Sequence, residues 1–560
     1  MEVQIAPGSP TPDRSLEQKR SHELAGTIPI PPDLEAVKNE YIDKSDAENG
    51  HLTGLKLMLV LASVTLVVFL MLLDMSIIVT AIPRITSQFH SLPDVGWYGS
   101  VYQLASASLQ PLTGKVYTYF SSKWTFLAFF AAFELGSLLC GVATSSKMLI
   151  VGRAVAGIGS SGLQNGALVI LATVAPLSKR AALMGFMMGF SQLGLVVGPL
   201  VGGALTEYTT WRWCFYINLP VGGLVAVALI IVRIPDQIVK IKSNSISHTI
   251  LKEMDLVGFA LFAPAAIQFL LALQYGGNQY SWNSPTVIGL FCGAGGTFAV
   301  FLAWEYYKGK DAMIPFHMVR QRAVWSSCLV MLVLMSMTMC ASYYLPIYFQ
   351  AVRGVSPMTS GVYLLPSILS QMAFAVGSGI LVGKLGYYLP AILFSGVVTA
   401  IGNGLLSMLS PTTSTGRWIG YQIVVGSGRG SGMQMPILAV QRTVTPPQIS
   451  IATSLVMFCG TLGGAVFLTL ASTIFGNSLK SELPNYAPSV NATAVIAAGA
   501  TGFRDVVTES QLPGVLKAYG ISVDRVFYLT AGAGVACFCF AWGTGWKDLR
   551  EKNNSTETKV

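Results

Sequence analysis

The chain alternates between long apolar runs and short polar connections. Because backbone groups in lipid must bond within their own segment, about 20 apolar residues in a helix are needed to cross the hydrocarbon core. Runs of that length predict fourteen membrane-spanning helices, at 57–82, 97–117, 124–144, 148–175, 181–206, 214–233, 256–275, 286–304, 324–349, 359–383, 388–409, 418–440, 451–475 and 526–545. The pattern therefore predicts an all-α polytopic membrane protein.

Basic residues are unevenly distributed between the two sets of short loops. If the N-terminus is cytosolic, the short cytosolic loops carry fourteen lysines and arginines and the short outer loops, without the long segment 476–525, carry five. Cytosolic loops of membrane proteins are enriched in these residues. The bias predicts that both termini are cytosolic and that the loop over 476–525 is extracellular. The sequon at Asn491 lies in that loop and is a predicted glycosylation site.

Composition agrees with a membrane location. Only 11% of the 560 residues are charged and 52% are apolar, against about 25% charged residues in a soluble chain. Residues 1–50 hold ten acidic and five basic residues and no apolar run, so residues 1–55 are predicted to be a disordered cytosolic tail. The net charge is +9, and the basic residues lie singly or in pairs between the apolar runs. That spacing favours lipid headgroups and predicts no nucleic-acid partner.

The residues needed for enzymatic chemistry are scattered. The five histidines lie in tails or loops, the eight cysteines form no CxxC pair, and no glycine-rich phosphate loop occurs. Metal sites, nucleophile–base pairs and nucleotide sites require such clusters. We therefore expect neither an enzyme nor a bound metal or cofactor.

A glycine pattern in the fifth predicted span is the most specific motif. Its spacing is G-x8-G-x3-GP-x2-GG, formed by Gly185, Gly194, Gly198, Pro199, Gly202 and Gly203. Glycines four residues apart share one helical face and let a neighbouring backbone approach. The spacing resembles the antiporter motif of drug exporters of the major facilitator superfamily.

Other stretches carry the same resemblance, especially to the fourteen-span drug:proton antiporter branch and its fungal toxin and metabolite efflux pumps. They include 73–83, 211–220 and 344–350, and two degenerate loop motifs that begin at Gly114 and Gly379. In these motifs Thr118 and Gly383 stand where that family usually has aspartate. The resemblance implies a major facilitator fold with two six-helix bundles, over 56–234 and 324–546. It also implies a central region over 235–323 that holds two inserted helices, and a cytosolic tail over 547–560.

Four ionisable residues lie well inside predicted spans: Asp74, Glu134, Arg153 and Arg429. A charge at the bilayer centre costs about 2.5–3.5 kcal/mol on insertion scales, so such residues face a cavity or a partner. Asp74 and Glu134 are candidates for reversible protonation, with a structural hydrogen bond or ion pair as the alternative. Arginine keeps its proton, so Arg153 and Arg429 would pair with an acid or hold backbone carbonyls.

Uncharged polar residues inside spans are candidates for the substrate path, with hydrogen bonds between helices as the alternative. The residues selected are Gln103, Gln164, Asn165 and Gln192.

Together these features predict a monomeric transporter of the plasma membrane. Its partners would be the lipid bilayer, protons and a small, largely apolar molecule, which the resemblance suggests is a fungal secondary metabolite or toxin, or a drug. The expected activity is export in exchange for protons. Import of a sugar or an iron-chelate complex by proton symport is the nearest alternative.

Overall fold

A computed structural model of the protein describes residues 52, 54–91, 94–236, 253–277 and 279–549. Most of the predicted N-terminal tail, residues 237–252 of the predicted central region, and residues 550–560 of the predicted C-terminal tail lie outside the described residues.

The described chain is helical almost throughout, as its long apolar runs predict. The long helices are α1 (Gly54–Phe89), α2 (Val95–Tyr119), α3 (Ser122–Gly141), α4 (Ser146–Val174), α5 (Leu177–Tyr208), α6 (Asn218–Ile231), α7 (Leu256–Tyr275), α8 (Pro285–Lys308), α9 (Arg322–Ile347), α10 (Leu365–Leu385), α11 (Leu389–Leu406), α12 (Thr415–Gly432), α13 (Ile449–Tyr486) and α14 (Leu512–Ala541). Short helices precede α6 (Trp213–Tyr216) and α9 (Phe316–Val319), and a further one (Met435–Thr443) follows α12. The helix between α13 and α14 (Ala492–Val506) is called the loop helix below.

Twelve helices in the described part of the chain are long and apolar enough to cross a membrane. The two long helices outside that set are α2 and α12, which match the predicted spans 97–117 and 418–440. Both carry polar side chains that the fold buries, among them Gln110, Thr113, Gln422 and Arg429. A helix shielded from lipid by its neighbours tolerates such residues when they are hydrogen-bonded. The all-helical fold is confirmed, and the count of fourteen spans stays a prediction.

The segment predicted as a loop over 476–525 is largely helical. α13 runs to Tyr486 and α14 begins at Leu512, so both helices continue past the apolar runs that predicted them. Charged residues interrupt those runs, and one pair of them joins the two helices: Arg525 Nη2 lies 2.5 Å from Glu482 Oε1. The loop helix buries Val495 and Phe503 against the end of the bundle.

Helix packing repeats between the first six and the last six long helices. α1 packs against α5, α2 against α4, and α3 against α4; the corresponding pairs α9–α13, α10–α12 and α11–α12 recur in the second set. The two sets meet through α5–α10 and through α2–α13, while α7 packs against α8 and α2. The predicted domain boundaries remain predictions.

Glycines let α5 approach two different helices along its length. A Cβ atom at Gly194 would lie 2.6 Å from the Phe69 carbonyl of α1, and one at Gly202 would lie 2.7 Å from the Ile77 carbonyl. Earlier on α5, a Cβ atom at Gly185 would lie 2.4 Å from the Ala375 carbonyl of α10. These distances are shorter than any side chain permits, so the approach depends on glycine.

The two sets of helices are in tight contact at one end of the bundle. At this end, called the terminal end because the last long helix, α14, ends there, the carbonyl of Asp548 accepts a hydrogen bond from Arg442 Nε. A Cβ atom at Gly114 of α2 would lie 2.7 Å from the Ile451 Cα of α13, and one at Gly379 of α10 would lie 2.6 Å from the Ala181 carbonyl of α5. The opposite end, which bears the loop helix, is called the loop-helix end.

We predict that Gly194→Ala destabilises the protein. Its methyl group would force the α1 and α5 backbones apart, at a cost of about 1–3 kcal/mol, which is typical of overpacking. Thermal unfolding of detergent-purified protein should show a Tm lowered by several degrees. Gly203→Ala is the matched control, because no atom lies within 4 Å of its added Cβ. Equal Tm values for the two variants would contradict the role assigned to Gly194.

Candidate functional site

A buried ion pair joins α1 to α4. Arg153 Nη1 donates a hydrogen bond to Asp74 Oδ2, and the two side chains are 1% and 0% exposed. Arg153 Nε donates to the Tyr98 carbonyl at 3.0 Å, and the guanidinium carbon lies 4.5 Å from the centre of the Tyr102 ring. A buried charge is tolerated when it is paired and hydrogen-bonded, and both conditions hold for Arg153.

Asn218 of α6 completes the surroundings of the Asp74 carboxylate. Its Nδ2 atom donates to Asp74 Oδ1 at 3.4 Å and to Ser137 Oγ at 3.1 Å. The Asn218 side chain is buried, and its Oδ1 atom accepts no hydrogen bond. Sequence reasoning assigned no role to Asn218. The available signal was an amide in an apolar segment, inside the stretch 211–220 that resembles the family.

Glu134 lies one turn before Ser137 on α3. Both carboxyl oxygens are buried and neither has a hydrogen-bond partner. The carboxyl group packs against Gly222 of α6, where an added Cβ would lie 2.1 Å from Glu134 Oε1. No contact in this part of the structure compensates a negative charge on Glu134, which distinguishes it from Asp74.

Arg429 lies in the second set of helices, away from both acids. Its Nη2 atom donates to Ser367 Oγ of α10, its Nε atom has no partner, and the residue is 4% exposed. Among the described residues no acid forms a salt bridge with Arg429. In this conformation the structure therefore brings Asp74 and Arg153 together and leaves Arg429 as a link between α12 and α10.

A cavity of about 620 Å³ lies between the two sets of helices. α1, α2 and α4 line it on one side, α9 and α13 on the other, and α7 along a third side. The lining residues of α1, α2, α7 and α9 come from the parts of these helices nearest the loop-helix end. Tight packing at the terminal end therefore separates the cavity from that end.

The lining is mainly apolar and rich in flexible side chains. No acidic residue appears among the described lining residues. Five methionines contribute to the lining: Met71, Met75, Met335, Met339 and Met457. Methionine is flexible and polarizable, which suits apolar ligands of varied shape. Polar groups come from Arg153, from glutamines, and from Thr461, Thr469 and Ser472 on one face of α13.

The predicted substrate-path residues divide into two groups. Gln103 and Gln164 line the cavity. Asn165 does not; its Nδ2 atom donates to Thr113 Oγ1 at 3.2 Å between α4 and α2. Gln192 is half-buried on α5 and is also absent from the lining.

Gln164 belongs to a hydrogen-bonded chain that crosses between the two sets of helices. Gln110 Nε2 of α2 donates to Gln164 Oε1 of α4 at 2.8 Å, and Thr461 Oγ1 of α13 donates to Gln110 Oε1 at 3.1 Å. Gln164 and Thr461 both line the cavity. A ligand there would therefore lie beside this chain of hydrogen bonds, which joins α4, α2 and α13.

Helices of membrane-spanning length in two similarly packed sets, with a cavity at their interface, are the architecture of a membrane transporter. The chain belongs to the Major Facilitator Superfamily, which it matches over residues 64–468. It is 63% identical to the MFS-type transporter pigP of Monascus ruber, over 89% of this chain and 87% of that protein. It is 54% identical to the efflux pump mlcE of Penicillium citrinum, over 94% of this chain and 96% of that protein.

Solved structures agree with this fold. The crystal structure of the human organic anion transporter MFSD10 superimposes with a TM-score of 0.56 at 13% identity, over 87% of this chain and all of that one. Together with the family match and the two relatives, the fold makes the protein a polytopic membrane transporter for small molecules and not an enzyme.

We predict that Arg153→Met destabilises the protein, because Asp74 would keep a buried charge with only the weak Asn218 contact. Breaking a buried pair by removing one partner costs about 3–5 kcal/mol. The double variant Asp74→Asn/Arg153→Met removes both charges and should regain much of the lost Tm in thermal unfolding of purified protein. A double variant less stable than Arg153→Met alone would contradict the pairing.

Proposed function

We propose that this chain exports a small, largely apolar organic molecule, a fungal secondary metabolite or toxin, in exchange for protons. The observation that carries the proposal is the methionine-rich cavity between the two sets of helices, with Arg153 on its wall and Asp74 bound to Arg153. The cavity accepts the apolar cargo, and the ion pair supplies a group that can take up a proton beside it.

The relatives support the direction of transport and the kind of cargo. One relative that covers nearly the whole chain is named an efflux pump, and it comes from the fungus Penicillium citrinum. A second, from Monascus ruber, is named an MFS-type transporter. Export by one fungal protein of this similarity, and the fungal source of both, favour a fungal product as the cargo of this chain.

Protonation of Asp74 would change the cavity wall through Arg153, which lines it. A neutral carboxyl group no longer attracts Arg153, whose guanidinium keeps its charge. The Asn218 amide can serve both forms of Asp74, because its NH₂ group donates to a carboxylate and its carbonyl oxygen accepts from a carboxylic acid. In this scheme Asp74 holds the proton, Arg153 and Asn218 position Asp74, and the ligand experiences the change through Arg153.

Glu134 is the second proton carrier in this proposal. Its buried oxygens lack hydrogen-bond partners. It lies one helical turn from Ser137, which accepts a hydrogen bond from the same Asn218 amide that donates to Asp74. Arg429 has a structural role, since it bonds Ser367 on the neighbouring helix.

Transport would follow rocking of two bodies, residues 56–234 and 324–546, about the cavity. The glycine contacts at the terminal end, including Gly114 on Ile451 and Gly379 on Ala181, would separate when the cavity opens towards that end. We assign that end to the cytosol, with both termini, on the basis of the loop charges. The protein would act as a monomer in the plasma membrane, and drugs of similar character would be secondary cargo.

We predict that Asp74→Asn abolishes proton-coupled export. The asparagine is neutral at every pH, so it cannot alternate between the charged and neutral forms. Deleting the gene in its source organism should trap one compound in the cells, and that compound is then the probe. In vesicles with an imposed pH gradient, wild type should transport it and Asp74→Asn should fall to background.

Gln192→Ala is the control for this experiment, because Gln192 lies outside the cavity lining and the ion pair. Equal protein levels in the vesicle membrane should be verified by immunoblot. Export that continues in Asp74→Asn but stops when the pH gradient is removed would transfer the proton-carrying role to Glu134. Export by wild type that ignores the pH gradient would reject proton coupling.

We predict that Asn491 carries an N-linked glycan. Asn491 is exposed and caps the loop helix through its Oδ1 atom, which accepts from Ala494 N at 3.2 Å, so its Nδ2 atom is left for the sugar. Treatment with an N-glycosidase should increase the gel mobility of wild type and leave Asn491→Gln unchanged. No shift for wild type from a eukaryotic host would contradict an extracellular loop helix.

A further inference from the structure

The helical hairpin α7–α8 is placed asymmetrically. The two seams between the sets of helices are α5–α10 and α2–α13, and the packing pattern makes them equivalent. α7 packs against α2 and α13, the two helices of one seam. The other seam is closed directly, with glycines of α5 on α10: added Cβ atoms at Gly185 and Gly189 would lie 2.4 Å from the Ala375 carbonyl and 2.7 Å from Met372.

Side chains of α7 pack against the α2–α13 seam at three places along its length. Nearer the terminal end, the rings of Phe262 on α7 and Phe458 on α13 have centres 5.0 Å apart. Further along, Leu270 forms one apolar cluster with Leu104 of α2 and Leu462 of α13. At the loop-helix end, the rings of Tyr275 and Trp97 meet edge to face with centres 6.1 Å apart. α7 therefore contacts both sets of helices and is not confined to the periphery.

The same face of α7 continues into the cavity. Leu270, Leu273 and Gln274 are spaced three and four residues apart, which places them on one side of a helix, and all three line the cavity. Two leucines offer an apolar surface, and one glutamine offers an amide donor and acceptor. The three residues share the cavity lining with residues of α1 and α9, such as Met71 and Met339.

We propose that α7 is a wall of the substrate site, and that Leu270, Leu273 and Gln274 determine which cargo fits. The ligand class is an amphipathic molecule with an apolar body against the leucines and a hydrogen-bonding group within reach of Gln274. This inference rests on the proposed export function. It gives the α7–α8 hairpin a part in selectivity, because among the described residues α7 lines the cavity at the α2–α13 seam and no helix does so at the α5–α10 seam.

The test uses a homologous series of probes. Fluorescent nitrobenzoxadiazole N-alkyl amides with chains of about four to twelve carbons report how much apolar length the site accepts, since each buried methylene contributes a near-constant increment. Initial rates into inside-out vesicles are measured for wild type, Leu273→Ala and Leu273→Phe. Leu273 is half-buried, so both substitutions are compatible with folding. Leu302→Ala and Leu302→Phe are the matched controls, because Leu302 on α8 of the same hairpin is 48% exposed.

We expect the preferred chain length to increase by about one to three methylenes in Leu273→Ala and to decrease in Leu273→Phe. The rate ratio between adjacent probes should change about three- to fourfold per methylene. The Leu302 variants should keep the wild-type profile. If wild type transports the amides and all four variants keep its preferred chain length, the assignment of α7 is overturned and the export function stays intact. Wild type that exports the compound trapped by gene deletion but no amide would overturn the ligand class assigned to α7. Wild type that exports neither would contradict the export function, and the inference would fail with it.

Discussion

Close approach of helix backbones is the constraint on which this structure depends. Between helices in lipid there is little hydrophobic driving force, so association relies on van der Waals contact and on hydrogen bonds between helices. Here the contact is made at glycines: Gly194 and Gly202 bring α5 onto α1, and Gly185 brings it onto α10. One helix thus holds its own set together and also meets the other set. Any side chain at these positions would separate backbones that the rest of the bundle requires to be in contact.

The cavity and the ion pair are consequences of that packing. Tight contact at the terminal end confines the cavity to the other part of the bundle, where α1, α2 and α4 face α9 and α13. The approach of α1 to its neighbours buries Asp74 beside Arg153, so the two opposite charges interact away from solvent. Structure and proposed mechanism are therefore linked at one pair of residues, with Asn218 as a group that can satisfy Asp74 in either protonation state.

The central hairpin breaks the symmetry of this arrangement. The repeat makes the two seams equivalent, and both have a close glycine contact at the terminal end. The α2–α13 seam is in addition covered by the leucine- and aromatic-rich face of α7. A site with different residues on its two sides can distinguish the two ends of a ligand. A site with two similar walls distinguishes them less well. Selectivity by α7 would also account for a cavity whose polar groups include Gln274 beside those of the two helix sets.

The sequence by itself determined the helical membrane fold, because burial of backbone groups in lipid allows little else over apolar runs of this length. It also identified Asp74, Arg153 and the glycines of α5, since charges and spaced small residues are rare and conspicuous in apolar segments. Only the tertiary structure decided that Arg153 is the partner of Asp74, that Arg429 bonds Ser367, and that Asn165 and Gln192 lie outside the cavity lining. It also revealed Asn218, the polar face of α13 and the wall formed by α7. These depend on which faces of distant helices meet, and helical periodicity specifies the spacing of residues on one helix without specifying which neighbour that face will contact.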